Sequence, residues 1–224
     1  MRIRRKKHLK ERLENVSDYL IIADFDIPNV KEAIKDKKHF DYSKMFDNDN
    51  PVYLEVGCGK AGFIIEYAKR FKDINFIAVE LLENVIVMGA EKAKDLQLKN
   101  LKFFNCGAEY LPRYIKDESI EKIFLNFSPP YPQNSYESRR LTYDRFIEYY
   151  KEFLKDGCSL EQKTDDKEFF EYSLSQFERF GFVVEDQSQL LKQDKLFNIR
   201  TEYEQKFIEQ GLDVYRLKAT IKKS

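Results

Sequence analysis

The chain has 224 residues, 42% of them hydrophobic and 35% charged, which suits one α/β domain with a sizeable core and the composition of a soluble globular protein. No apolar run reaches membrane-spanning length and the N-terminus carries no hydrophobic signal core, so the expected location is the cytoplasm. Cys58, Cys106 and Cys158 lack C-x-x-C spacing and the only histidines, His8 and His39, precede the first glycine turn, which argues against a zinc site, a disulfide framework or a histidine-centred triad.

The 39 basic and 39 acidic side chains cancel, but they are not evenly spread. Arg2, Arg4, Arg5, Lys6, Lys7, Lys10 and Arg12 crowd the N-terminus with only Glu11 against them. Such a block is expected to be a flexible arm that contacts phosphates; the competing reading is a solvated tail without a partner. Residues 1–50 are read as this arm and a lead-in, where Tyr19-Leu-Ile-Ile-Ala23 and a helical pattern over residues 30–40 precede the loop at 46–51. Residues 51–224 are read as the main domain. There strands and helices alternate: strand 52–56, helix 61–71, strand 75–80, helix 82–97, strand 101–105, a short helix near 108–115, and strand 120–126. Alternation of this kind implies parallel β-α-β units with right-handed crossovers.

The next loop, Phe127-Ser-Pro-Pro-Tyr-Pro132, holds three prolines, so it is expected to be rigid, at the carboxyl edge where open α/β sheets bind ligands. A helix is expected from Arg139 to about residue 154, a strand over 158–164 ending at Asp165, a helix over 167–180, and closing strands at 181–185 and 214–221. Between the last two, Thr201 and Glu204 have capping-box spacing.

The chemistry centres on Val52-Tyr-Leu-Glu-Val-Gly-Cys-Gly-Lys-Ala-Gly62. Gly57, Gly59 and Gly62 fit the G-x-G-x-x-G spacing, in which missing side chains let backbone approach a ligand. Glu55 lies just before the turn, and Glu80 closes the next strand at the spacing of an acidic residue that grips ribose hydroxyls. A dinucleotide would bring a pyrophosphate to the helix N-terminus, where an adjacent anionic Glu55 is unfavourable. S-adenosylmethionine has no phosphate, and its amino and sulfonium groups are cationic. A methyl-donor site is therefore the first reading, a nicotinamide site the second, and a ligand-free glycine turn the third.

Over nearly its whole length the sequence resembles the bacterial tRNA (guanine-N7)-methyltransferases. The resemblance rests on the basic Met-Arg-x-Arg start, Glu55-Val-Gly-Cys-Gly-Lys-Ala-Gly62, Asn126-Phe-Ser128, Pro130, Pro132, Arg139-Arg-Leu-Thr-Tyr143, Lys163-Thr-Asp165, Thr201-Glu-Tyr-Glu-Gln-Lys-Phe207 and Tyr215-Arg-Leu217. It implies the Rossmann-like class I methyltransferase fold, a seven-stranded, mostly parallel sheet with helices on both faces. It further implies methyl transfer from S-adenosylmethionine to guanine N7 in the variable loop of tRNA, by a monomer or homodimer without metal.

Carried over by motif, Glu55, Gly57, Gly59, Glu80, Gly107, Ala108 and Asn126 would contact the cofactor, and Gln133, Arg139, Arg140, Asp165, Thr201, Glu202, Tyr203 and Glu204 the tRNA. Plainer readings compete: Asp165 as a helix N-cap, Thr201 with Glu204 as a capping box only, Arg139 and Arg140 as a solvated helix face. The pattern also departs from the family. An acidic residue followed by Ala is replaced by Gly107-Ala108, with Glu109 next in line. In the loop after the fourth core strand the family's Asp, Trp and Lys are Pro129, Tyr131 and Gln133, leaving Ser128 and Tyr131 as nearby candidates. Guanine N7 has no proton to lose, so alignment matters more there than a general base. Ser128-Pro-Pro-Tyr131 is also similar to the loop of amino-methyltransferases acting on adenine or cytosine, the rival reading; a non-catalytic RNA-binding descendant is the third.

Overall fold

A computed structural model describes residues 7–188 and 209–223 of the chain, which falls into two compact units, residues 1–114 and 115–224. Among the described residues no helix is long and apolar enough to cross a membrane.

The first unit holds strands β1 (Leu20–Ile22), β2 (Val52–Val56), β3 (Asn75–Glu80) and β4 (Leu101–Asn105) in the order β1-β4-β3-β2, every pairing parallel. Phe76, Ile77, Ala78 and Val79 are all buried, the continuous apolar run that a parallel strand covered on both faces requires. Helix α4 (Gly62–Arg70) buries Ile64, Ile65 and Ala68, and α5 (Glu83–Asp95) buries Ile86, Val87, Ala90 and Ala93; both sets repeat at helical spacing. The Asn100 amide lies 3.0–3.1 Å from the carbonyl oxygens of Ala68, Phe71 and Ile74 and so ties the end of α4 to the start of β3.

The lead-in departs from its expected form. Helix α1 (Leu9–Asn15) already includes Arg12, one of the cations assigned to the arm, and Arg12 Nε donates to Glu91 of α5 at 2.6 Å. The helix expected over residues 30–40 is only α2 (Val30–Ala33), followed by α3 (Tyr42–Phe46). It stops because Lys38 N and Phe40 N donate to the carbonyls of Arg113 and Tyr114, the last two residues of α6 (Leu111–Tyr114). Arg113 is fully buried and reaches Asp26 and Asp36 at 2.7 Å each. Its hydrogen bonds, with Lys38 second, hold the Asp26 carboxyl well below the usual carboxylate range.

The second unit contains β5 (Ile120–Asn126), α7 (Asp144–Phe153), β6 (Leu154–Thr164), α8 (Lys167–Arg179), β7 (Phe182–Asp186) and β8 (Tyr215–Ile221). Its strand order is β5-β6-β8-β7, with β6 parallel to β5 and β8 antiparallel to both neighbours. The fold is thus α/β with mostly parallel strands, as expected, but eight strands occur among the described residues; β1 is the addition. Helix α7 starts at Asp144 rather than Arg139. Residues 134–139 form a 3₁₀ helix, and Arg140 leaves it in extended conformation.

Candidate active site

Unit one gathers candidate residues at the carboxyl ends of β2, β3 and β4. Glu55, on β2, is buried at 2% exposure. The chain then turns through Gly57 (φ 80°) and Gly59 (φ 55°), left-handed angles that glycine adopts without cost. The turn is locked to β3: Gly57 N and Cys58 N both donate to the carbonyl of Val79, at 2.8 and 2.9 Å. Ala61 caps α4 in the left-handed region, φ 61°, and is wholly buried. The turn fits because residue 89 on α5 is glycine; a Cβ there would lie 2.8 Å from both Ala61 Cβ and Phe103 Cε1. An isolated glycine in a helical pattern was the only trace of this contact in the sequence.

Glu80 joins two elements. Its Oε2 accepts from Gly59 N at 3.1 Å and its Oε1 from Leu82 N at 3.0 Å. Each oxygen keeps further acceptor capacity. On the other side of β3, Gly107 leads into a short 3₁₀ turn, Ala108–Tyr110. Here the Glu109 carboxylate folds back over Gly107: a Cβ at residue 107 would meet Oε2 at 2.8 Å and Oε1 at 2.9 Å. Among the described residues no hydrogen bond or ion pair holds that carboxylate. Leu81 and Leu82, 58% and 43% exposed, add apolar surface beside Glu80. Burial pushes the Cys106 thiol up to about 12, with Glu109 adding to it, and burial followed by Glu55 and Glu80 raises that of Cys58. Both shifts favour the neutral thiol over the thiolate.

These features fit S-adenosylmethionine. A Cβ at Gly59 would find nothing within 4 Å, so space is open in front of the turn. Glu55, Glu80 and Glu109 bring carboxylates to one strand edge, a set of acceptors that suits hydroxyls, an amine and a cationic centre.

Unit two supplies Asn126, the last residue of β5, and the loop 127–133. Two of its residues, Phe127 (φ 51°) and Tyr131 (φ 42°), are left-handed without being glycine, each costing about 1–3 kcal/mol of strain that the surroundings must offset. Phe127 N donates to Lys163 O at 2.8 Å. Arg140 Nε donates to Pro130 O at 2.9 Å and its Nη2 to Tyr131 O at 3.0 Å, while the guanidinium lies 4.4 Å from the ring centroid of Tyr172. Arg140, expected on the tRNA, thus directs its Nε and Nη2 to the loop. Arg139 is exposed and stacks on Tyr136 at 4.5 Å. Gln133 is exposed beside it, and Pro129 is exposed on the loop. Ser128 is buried at 7% exposure, and its hydroxyl has no hydrogen-bond partner among the described residues.

At the end of β6, Asp166 caps α8, its Oδ1 accepting from Phe169 N at 2.8 Å. Asp165 is exposed and is not the cap, which removes the plain reading of that residue. Thr201, Glu202, Tyr203 and Glu204 lie outside the described residues. No group of three or more His, Cys, Asp or Glu side chains that would hold a metal occurs among the described residues.

A family model described as a putative methyltransferase matches residues 49–217. The chain is 37% identical over 220 residues to the tRNA (guanine-N(7)-)-methyltransferase of Streptococcus mutans, covering 98% of this chain and 99% of that one. It is 39% identical over 196 residues to the enzyme of the same name from Bacillus subtilis, with 86% and 92% covered. Among solved structures it is similar to the 16S rRNA methyltransferase KamB, with TM-score 0.61, 14% identity and 84% and 96% of the two chains covered. An S-adenosylmethionine-dependent methyltransferase from Aquifex aeolicus gives TM-score 0.53 at 16% identity, covering 86% and 98%. These two share the fold.

Proposed function

The chain belongs to the family of tRNA (guanine-N(7)-)-methyltransferases, and we propose that it methylates a guanine of the tRNA variable loop, in the cytoplasm. Its donor is S-adenosylmethionine, which when bound supplies a methyl group activated by a sulfonium. The observation that supports the placement of the donor is the row of carboxylates at the ends of β2, β3 and the turn after β4, with open space before Gly59.

Glu80 holds the ribose. The glycine turn lies on one side of it and the end of β4 on the other, so Glu55, Gly57 and Gly59 would hold the methionine part and residues 107–109 the adenine. Gly107 has no side chain to offer there. Its backbone, Ala108 and the Glu109 carboxylate line the base, with Glu109 accepting from the exocyclic amine.

Guanine N7 attacks with its own lone pair, so no side chain need remove a proton, and Pro129 in the loop is compatible with transfer. What the chain supplies is alignment. Ser128 has an uncommitted hydroxyl and Tyr131 an aromatic face for the base. Asp165 accepts from guanine N1 and N2 groups, and adenine, with an acceptor at N1, is refused. Arg139 contacts phosphate, with Gln133 beside it, and Thr201, Glu202, Tyr203 and Glu204 complete the tRNA site.

The test is direct. The protein is incubated with unmodified tRNA and labelled donor, and the digested product is identified by mass spectrometry. 7-Methylguanosine in a variable-loop fragment is expected. N6-methyladenosine or N4-methylcytidine would transfer the case to the Ser-Pro-Pro-Tyr rival, which the curated relatives do not favour.

A further inference from the structure

We propose that Arg140 is a positioning residue that sets the shape of the loop 127–133, and is not a phosphate contact. The inference rests on the reading of that loop as part of the methyl-transfer site. Pro129, Pro130 and Pro132 have no N–H to donate, so the loop cannot build a backbone turn of ordinary pairing. Its first end is fastened through Phe127 N to Lys163 O at 2.8 Å. Among the described residues Tyr136 N donates to Gln133 O at its far end, 2.9 Å away, and Arg140 reaches its second half twice, at Pro130 O and Tyr131 O, 2.9 and 3.0 Å away.

The guanidinium geometry is specific to this task. Two parallel N–H groups of one planar fork address two successive carbonyl oxygens across the left-handed Tyr131, φ 42°. The plane is backed by Tyr172 on α8 at 4.4 Å, so the fork has a fixed support in the second unit. A lysine would keep the charge and lose the paired hydrogen bonds. The neighbouring Arg139, exposed on Tyr136, has no such commitment to the loop and is free to meet phosphate.

The two roles separate experimentally. A phosphate contact contributes to the salt dependence of tRNA binding, whereas a brace contributes to kcat by holding the loop where the base must align. Arg140→Lys and Arg140→Ala should lower kcat about ten- to hundredfold while leaving the salt slope of tRNA binding at the wild-type value. The chain contains no tryptophan, so Tyr131→Trp creates a single fluorescent reporter in the loop. Its steady-state anisotropy should fall, and its quenching by acrylamide rise, when Arg140→Lys is added.

Retained kcat with a smaller salt slope would make Arg140 a phosphate contact and overturn the proposal, as would an unchanged reporter signal. The reporter does not depend on turnover. If the wild-type protein makes no 7-methylguanosine, the functional reading falls while the reporter still decides whether Arg140 braces the loop.

Discussion

At residue 107 the absence of a side chain is what lets Glu109 fold back to within 2.8 Å of where a Cβ would stand. The carboxylate that the family pattern holds at this position, and that this chain lacks, would then be supplied from two residues further on. Glu109→Gln is expected to weaken S-adenosylmethionine binding by about 1.5–3 kcal/mol, as for a hydrogen bond to a charged acceptor. Calorimetry with S-adenosylhomocysteine and its deaminated inosyl counterpart checks the cause: wild type should prefer the adenosyl form, and the variant should lose much of that preference. Equal losses for both ligands would mean that Glu109 acts on the fold and not on the base. The strand-end positions of Glu55 and Glu80 were legible in the sequence because hydrophobic patterning locates the strands. Gly89 and Arg140 were not, because their roles come from elements that meet only in the folded chain. Asp165 and Asp166 fit an N-cap equally well by residue type, and only backbone geometry assigns the cap to Asp166.

At the scale of elements, the core strands and α4, α5 and α8 follow their apolar periodicity closely, since burial on a sheet enforces the same spacing that the sequence displays. The misread segments are those that answer to partners outside their own stretch. Lys38 N and Phe40 N leave the helical pattern to pair with Arg113 and Tyr114, and residues 139–143 give up the expected helix where the Arg140 side chain reaches the loop. The N-terminus divides similarly. Arg12 is tied to Glu91 and Leu9 is buried at 5% exposure, so α1 belongs to the folded unit. Deleting residues 1–6, which removes Arg2, Arg4, Arg5 and Lys6, is expected to weaken tRNA binding and flatten its salt slope without changing the melting temperature. Deleting residues 1–12 should also lower the melting temperature by several degrees, since about 1 kcal/mol corresponds to roughly 2–4 °C in a domain of this size. An unaltered salt slope in the shorter deletion would leave the arm a solvated tail.

Across the whole molecule the balanced charge conceals one costly arrangement, Glu161 between Lys122 and Arg216, at 2.9 and 2.7 Å, linking β6 to β5 and β8. Burial works to raise the Glu161 pKa, but the two cations outweigh it and hold the carboxyl below its ordinary value. A carboxyl lowered in the folded state contributes stability above its unfolded pKa, and that contribution is lost as the pH falls through the folded value. Urea unfolding from pH 7 downward should therefore show stability declining below the ordinary glutamate pKa near 4.3. Glu161→Gln is expected to cost about 2–3 kcal/mol at neutral pH and to flatten the decline, somewhat less than for a fully dry pair because both cations keep some solvent. Stability independent of pH in both proteins would remove Glu161 as the cause. The parallel edge strand β1 has a different kind of consequence. Asp24, just past it, pairs with Tyr114, 90 residues downstream, and β1 itself can add only to a finished β4. A ribosome releases β1 early, yet its pairing surface is made last in that unit. During synthesis β1 thus leaves the ribosome ahead of β4, the one strand it pairs with among the described residues, and stays unpaired until that strand is in place.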